Sequence, residues 1–222
     1  GKEIYPQVVE GRNFANKLWN AARYRQMQEG SGDFDPSALS IYSLDILAKL
    51  DQLESDMAAA YEDYRFNELA QLLYDFFWSN YCDWYLESSK GAFAEGADPA
   101  LRASTLGTMD LVLRRFLLLL HPFMPHITEQ LWEDLEFRGD DDPEFLMQTG
   151  LASSRDLAEV EDATVKDAQG LVKAIYEAVG RARNLKAEYG ISGKKGVKFI
   201  IDPEGDFAET DVYQQLVGAE AV

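Results

Sequence analysis

The chain has 222 residues, 46% of them hydrophobic and 12% aromatic, enough for a sizeable core and at most two domains. A formal net charge of −18 argues against a general nucleic-acid binder, while the single cysteine, Cys82, excludes an internal disulfide framework and fits a reducing cytosol. The longest strongly apolar run, Phe116 to Leu120, is far too short for a bilayer, and no signal-peptide core opens the chain; Gly1 reads as an internal cut rather than a native start.

The first predicted helix runs from about Val8 to Gln28 and stops at Gly30-Ser31-Gly32. Asp35 then caps a second, with Pro36 at its first position, and the pattern continues to about Tyr64 with Leu44, Leu47, Leu50 and Leu53 on the core face. Arg65 or Phe66 opens a third, which keeps helical spacing through Leu69, Leu72, Leu73, Phe76, Phe77, Tyr81 and Trp84 to Ser88. Asp98-Pro99 repeats the capping device for a fourth that ends near His121-Pro122, where two prolines force a kink before a short helix from Ile127 to Phe137. These are the parts of an antiparallel helical bundle. Trp19, Phe76, Phe77, Trp84, Phe116 and Trp132 are its expected buried aromatics.

Past residue 139 the pattern changes. Residues 140–163 read as an acidic connecting loop with Phe145, Leu146 and Met147 docking from it. Residues 164–222 read as a small α/β subdomain, incomplete at its C-terminus. Its parts are a helix from Thr164 to Glu188, a strand over Gly196 to Asp202, and a turn at Pro203-Glu204-Gly205. A second helix follows from Asp206 to Val217, with a strand start at Glu220 to Val222. The fold expected overall is mainly α: bundle 1–139, loop 140–163, appendage 164–222.

Charge is not spread evenly. Lys2, Arg12, Lys17, Arg23 and Arg25 face only Glu3 and Glu10 in the first stretch, and Arg181, Arg183, Lys186, Lys194, Lys195 and Lys198 face only Glu188 near the end. Screening over about 8–10 Å makes the local balance count for more than the total. Wrapped at about 100° per residue, Gly11 to Tyr24 (GRNFANKLWNAARY) separates into two faces. Phe14, Ala15, Leu18, Trp19, Ala21 and Ala22 form the core stripe; Arg12, Asn13, Asn16, Lys17, Asn20, Arg23 and Tyr24 form an arc without an acid. Amides bond base edges, cations meet phosphates and a half-exposed ring stacks on an unpaired base, so the arc suits RNA. On pattern alone the solvated face of a bundle helix is the commoner reading, since polar outer faces are the rule.

GRNFANKLWNAARY also resembles the opening helix of the anticodon-binding domain of valyl-tRNA synthetases. The similarity continues, in the family's order, through YDFFWSNYCDWYLESSK (Tyr74 to Lys90), LLHPFMPHITEQLWEDL (Leu119 to Leu135) and RNLKAEYGISGKKG (Arg183 to Gly196). The resemblance implies a parent valine–tRNA ligase, monomeric and cytoplasmic, that joins valine to its tRNA using ATP and Mg2+. Catalytic and editing domains would lie upstream and a coiled-coil arm downstream. The partner implied is the anticodon stem-loop of tRNA(Val), with no DNA and no membrane. The family's readable bases are a central adenine and a final cytosine. The position carried over as a stacking platform is Tyr24, with Arg23 and Arg25 beside it, while Arg12, Asn13, Asn16, Lys17 and Asn20 complete the anticodon-binding set. Alternatives are an isoleucyl- or leucyl-type domain and a non-enzymatic helical scaffold.

No catalytic residue, metal or cofactor is expected in this stretch. The HIGH-like and KMSKS-like strings that mark class I synthetase catalysis do not occur. His121 and His126 are too few and badly spaced for zinc; His121 is expected to end a helix and satisfy backbone, and His126 to start the next. Gly190 to Gly196 (GISGKKG) lacks the order and spelling of a phosphate loop, leaving Lys194 and Lys195 as candidates for a tRNA backbone contact or as a solubilising turn.

Overall fold

The computed structural model describes residues 5–30, 32, 34–139, 143–150, 157, 160–191, 197–199 and 210–218. Helix α1 spans Pro6–Met27, with Pro6 at its first position, where a missing N–H costs nothing. Its core stripe is Phe14, Leu18, Ala21 and Ala22. Gly30, at φ 115°, turns the chain, and Gly32 then lies so close to the later helix Pro99–Leu120 that an added Cβ would sit 2.1 Å from the Gly107 nitrogen. No larger side chain fits there.

Asp35 caps as expected, its carboxylate accepting from Ser37 N–H at 2.9 Å, but the turn it starts is only the short 3-10 stretch Pro36–Ala38. The long helix α2 (Ile41–Glu62) has its own cap, Ser40, which accepts from Ser43 N–H. Leu44, Leu47, Leu50 and Leu53 are buried in it as predicted, and so is every residue from Tyr42 to Leu47. A helix buried all round has neighbours on every side. Here they are the helices at Phe66–Asp75, Pro99–Leu120 and Asp162–Glu188 and the segment Phe76–Tyr85.

The third predicted helix is not one α-helix. Helix α3 covers Phe66–Asp75, Phe76–Tyr85 is wound as a π-helix, and α4 is the single turn Leu86–Ser88. The wider π turn reduces the angle between successive residues, so the adjacent rings of Phe76 and Phe77 both stack on Phe116, with centroids 5.9 and 4.6 Å away. Phe77, Tyr81 and Tyr85 continue as a ladder through the core.

Helix α5 (Pro99–Leu120) keeps the predicted Asp98 cap, bonded to Ala100 N–H at 3.0 Å. Arg115, nearly buried, reaches from it to Asp51 (2.7 Å) and Glu54 (2.8 Å) of α2. Arg25 of α1 pairs with Asp110 of α5 through two 2.6 Å bonds and also donates to the Gln28 and Gly30 carbonyls. Helix α6 (Pro125–Asp134) follows the proline kink. His121 does not satisfy backbone: its Nδ1 lies 2.7 Å from the Thr128 hydroxyl, which turns back on the Met124 carbonyl. His126 is exposed at the start of α6. Of the loop residues expected to dock, only Leu146 is buried, its N–H held by the Glu129 carboxylate; Phe145 and Met147 stay exposed.

Helix α7 (Asp162–Glu188) packs along α2. Tyr176 anchors it, stacked at 4.2 Å on Trp84 and at 6.3 Å on Tyr42, with its hydroxyl 3.0 Å from Ser88 Oγ. Helix α8 (Thr210–Val217) returns to α7. Arg183 and Lys186 cap its C-terminus, Arg183 at Leu216 O and Lys186 at Val217 O and Gly218 O, where cations complement the helix dipole. Of the predicted strand over 196–202, only 197–199 is described, and there Lys198 makes an isolated bridge. The predicted turn at 203–205 and the strand start at 220–222 lie outside the described residues. The architecture shown is a mainly α helical bundle.

Three outcomes follow from this packing. Phe77 is fully buried, so Phe77→Ala should cost about 3–5 kcal/mol in denaturant melts; a loss below about 1 kcal/mol would contradict the packing. Arg25→Ala strands a part-buried Asp110 carboxylate and should cost roughly 2–3 kcal/mol, less than a fully buried pair because Asp110 keeps some water. Burial pushes the Cys82 thiol up to about 12, whereas the unfolded thiol titrates near 8.5. Between those values the native state holds a proton the unfolded chain has lost, so this group lowers stability as pH rises through that window. Native Cys82 should therefore react slowly with a thiol reagent at about pH 8 and quickly once the chain is denatured.

Candidate nucleic-acid interface

The roll of α1 decides which side chains meet solvent. Arg12, Asn13, Asn16, Asn20 and Arg23 are exposed, and they lie on the arc the sequence marks out. Arg12 and Arg23 enter no ion pair among the described residues. Lys17 is part-buried and engaged, 2.7 Å from Asp83 and 4.8 Å above the Trp78 ring. Tyr24 is half-buried, its ring set edge-on to Phe93 at 6.5 Å. Burial, and then the nearby Glu87 charge, raise its phenol above the usual value, so it meets a ligand as a neutral donor.

Two residues stand elsewhere than expected. Arg25 is 9% exposed and belongs to the fold, not to the surface. At about 100° per residue it falls between Phe14 and Leu18, in the middle of the core stripe. Trp19 is 42% exposed and not a core residue. It follows the buried Leu18 by about 100°, which carries its ring out of the stripe. Trp84 is only partly buried, while Phe76, Phe77, Phe116 and Trp132 are buried as expected. Lys194 and Lys195 lie outside the described residues.

The structure also brings to the arc groups that its own helix does not encode. A groove of about 240 Å3 runs between Lys17, Asn20, Ala21 and Tyr24 on one wall and Cys82, Leu86, Glu87 and Lys90 on the other. Glu87 and Lys90 pair at 2.7 Å along one rim. The arc is thus acid-free from Arg12 to Tyr24, but Glu10 on α1 and Asp83 and Glu87 across the groove lie along one margin. Asp83 and Glu87 sit more than sixty residues away in the chain, and nothing in the local pattern at α1 announces them. Amides in the centre, free guanidinium groups at the opposite margin and a neutral phenol in the groove equip the face to bond base edges and phosphates. Among the described residues, no three His, Cys, Asp or Glu side chains gather as a metal site, and no helix is long and apolar enough to cross a membrane.

Residues 44–201 match the family described as the anticodon-binding domain of tRNA ligase. Similar curated proteins are valine–tRNA ligases. That of Syntrophotalea carbinolica is 34% identical over 205 residues, covering 88% of this chain and 22% of the relative. That of Prochlorococcus marinus is 37% identical over 196 residues, covering 83% and 20%. A third, from Pseudothermotoga lettingae, is 36% identical over 214 residues and covers 94% of this chain, a share that requires most of α1 although α1 precedes the family match. The chain spans about a fifth of the length of these relatives. On the extent of that match, and with the helical bundle it accompanies, this chain belongs to the anticodon-binding domain family of tRNA ligases.

Proposed function

We propose that this chain is the anticodon-binding part of a valine–tRNA ligase, and that the outer face of α1 reads the anticodon loop of a valine tRNA. The observation that carries the reading is the exposed, acid-free arc of Arg12, Asn13, Asn16, Asn20 and Arg23 on a strongly acidic protein. Similarity to valine–tRNA ligases supplies the amino acid. Tyr24 stacks on a loop base from within its groove, and Arg23 holds phosphate or base beside it. Lys17 reaches RNA only by leaving Asp83, so it tunes binding less than the free arginines do. Lys194 and Lys195 remain candidates for a backbone contact. In the whole protein, an upstream catalytic domain using ATP and Mg2+ attaches valine, in the cytoplasm and as a monomer. This stretch makes no bond itself, because its sequence carries neither signature string of that catalysis.

Competition between anticodon stem-loops tests the reading. The valine stem-loop should bind this chain more tightly than the same stem-loop with its central adenine and final cytosine exchanged; equal binding of the two would contradict it. Arg23→Ala should weaken binding and flatten its salt dependence by about one counterion. Within a full-length ligase carrying this chain, Tyr24→Ala should lower valylation efficiency by about tenfold to a hundredfold. Valine-dependent pyrophosphate exchange, which needs no tRNA, should stay near normal.

A further inference from the structure

We infer that Trp19 is a second stacking platform for an unpaired base of the bound RNA, separate from the Tyr24 groove. The inference rests on the proposed function and adds a contact to it. Each of the other three tryptophans has a partner over its ring: Lys17 and Tyr74 at Trp78, Arg183 and Tyr176 at Trp84, Arg114 and Phe137 at Trp132. Trp19 has no ring or cation partner among the described residues, yet it is 42% exposed. Leaving about two-fifths of so large an apolar residue in water forgoes part of the burial that indoles otherwise supply to a core.

Its surroundings identify the occupant. Arg12, Asn16 and Arg23 stand seven and three positions before it and four after it, so all three share its side of α1. All are exposed, and neither arginine has an ion pair among the described residues. Gln26, seven positions on, is tied to the Asp134 carbonyl at 2.7 Å, which fixes α6 as the neighbour on that flank. A protein partner would be expected to meet further apolar side chains around the ring. Beside this ring the apolar neighbours are only the small Ala15 and Ala22, and the exposed groups on its side are two guanidinium groups and an amide, the companions of a stacked nucleotide with phosphates on either side. Arg12 and Arg23 are about 16 Å apart along the helix axis, at 1.5 Å per residue. Trp19 lies roughly 140° around α1 from Tyr24, and Tyr24 is edge-packed on Phe93. The two rings therefore take two different bases.

The test compares this chain with its Trp19→Ala and Trp19→Phe variants, using a labelled valine anticodon stem-loop at low salt. Trp19→Ala should bind about tenfold more weakly with an unchanged melting temperature, and Trp19→Phe should fall between it and the parent. Placing an abasic nucleotide at each loop position in turn should reveal one position at which Trp19→Ala carries no further penalty, since both changes remove the same contact. Wild-type affinity in Trp19→Ala, while Arg23→Ala is weakened, would overturn this inference and leave the proposed function standing. A penalty for Trp19→Ala that persists at every abasic position would overturn it too. Absence of binding by the unmodified chain would overturn both readings.

Discussion

The pairing of Arg25 with Asp110 is the constraint on which the rest of the surface depends. A guanidinium held by two 2.6 Å bonds, and donating also to the carbonyls of Gln28 and Gly30, has almost no rotational freedom. It lies among Phe14, Leu18, Ala21 and Ala22, so it fixes the roll of α1 about its own axis as well as its distance from α5. Apolar packing alone tolerates small rotations; a bidentate ion pair in a part-buried site tolerates few. Arg12, Asn16, Asn20 and Arg23 are presented outward because Arg25 is presented inward. The approach of Gly32 to Gly107 closes the same corner from the loop side.

That geometry also reconciles an acidic protein with RNA. Several of the carboxylates act locally, as caps or as partners: Asp35 and Asp98 at helix starts, Asp51 and Glu54 on Arg115, Glu129 on the Leu146 backbone. Part of the second basic stretch is consumed in the same way. Arg183 and Lys186 cap α8, and Lys186 is buried in doing so. Arg12 and Arg23 on α1 stay free of ion pairs among the described residues, as do Lys166, Lys173 and Arg181 on α7, but the α7 cations share their helix with Asp162, Asp167, Glu177 and Glu188. With screening over about 8–10 Å, a phosphate at Arg12 or Arg23 meets those charges before it meets the total.

Much of the bundle was legible because its signals are local. The Asp98-Pro99 cap, the leucine stripe of α2, the kink at Pro122 and the span of α7 each depend on a few neighbouring residues, and each stands where the pattern puts it. The outer arc of α1 was legible for the same reason. Two residues at its margins were not. In the sequence Arg25 looks like a surface cation because its partner is eighty-five residues away, and Trp19 looks like a core residue because hydrophobicity alone places it there. The π winding of Phe76–Tyr85 escaped too, since the spacing of its rings suits an α-helix until both Phe76 and Phe77 must reach Phe116. The docking of α7 through Tyr176 depends on Trp84 and Tyr42, which no local pattern links. Asp83, which holds Lys17, belongs to the same class of long-range partner.

The most direct measurement is a chemical-shift map of this chain during titration with the valine anticodon stem-loop. The side-chain amides of Asn13, Asn16 and Asn20 point from the proposed reading face and report on it without mutation. The account predicts that the largest changes fall on these amides and on the backbone of α1 between Arg12 and Tyr24, with α7 and α8 little affected. Changes centred on α7 and α8, with the three α1 amides unmoved, would place the RNA on another face and contradict it.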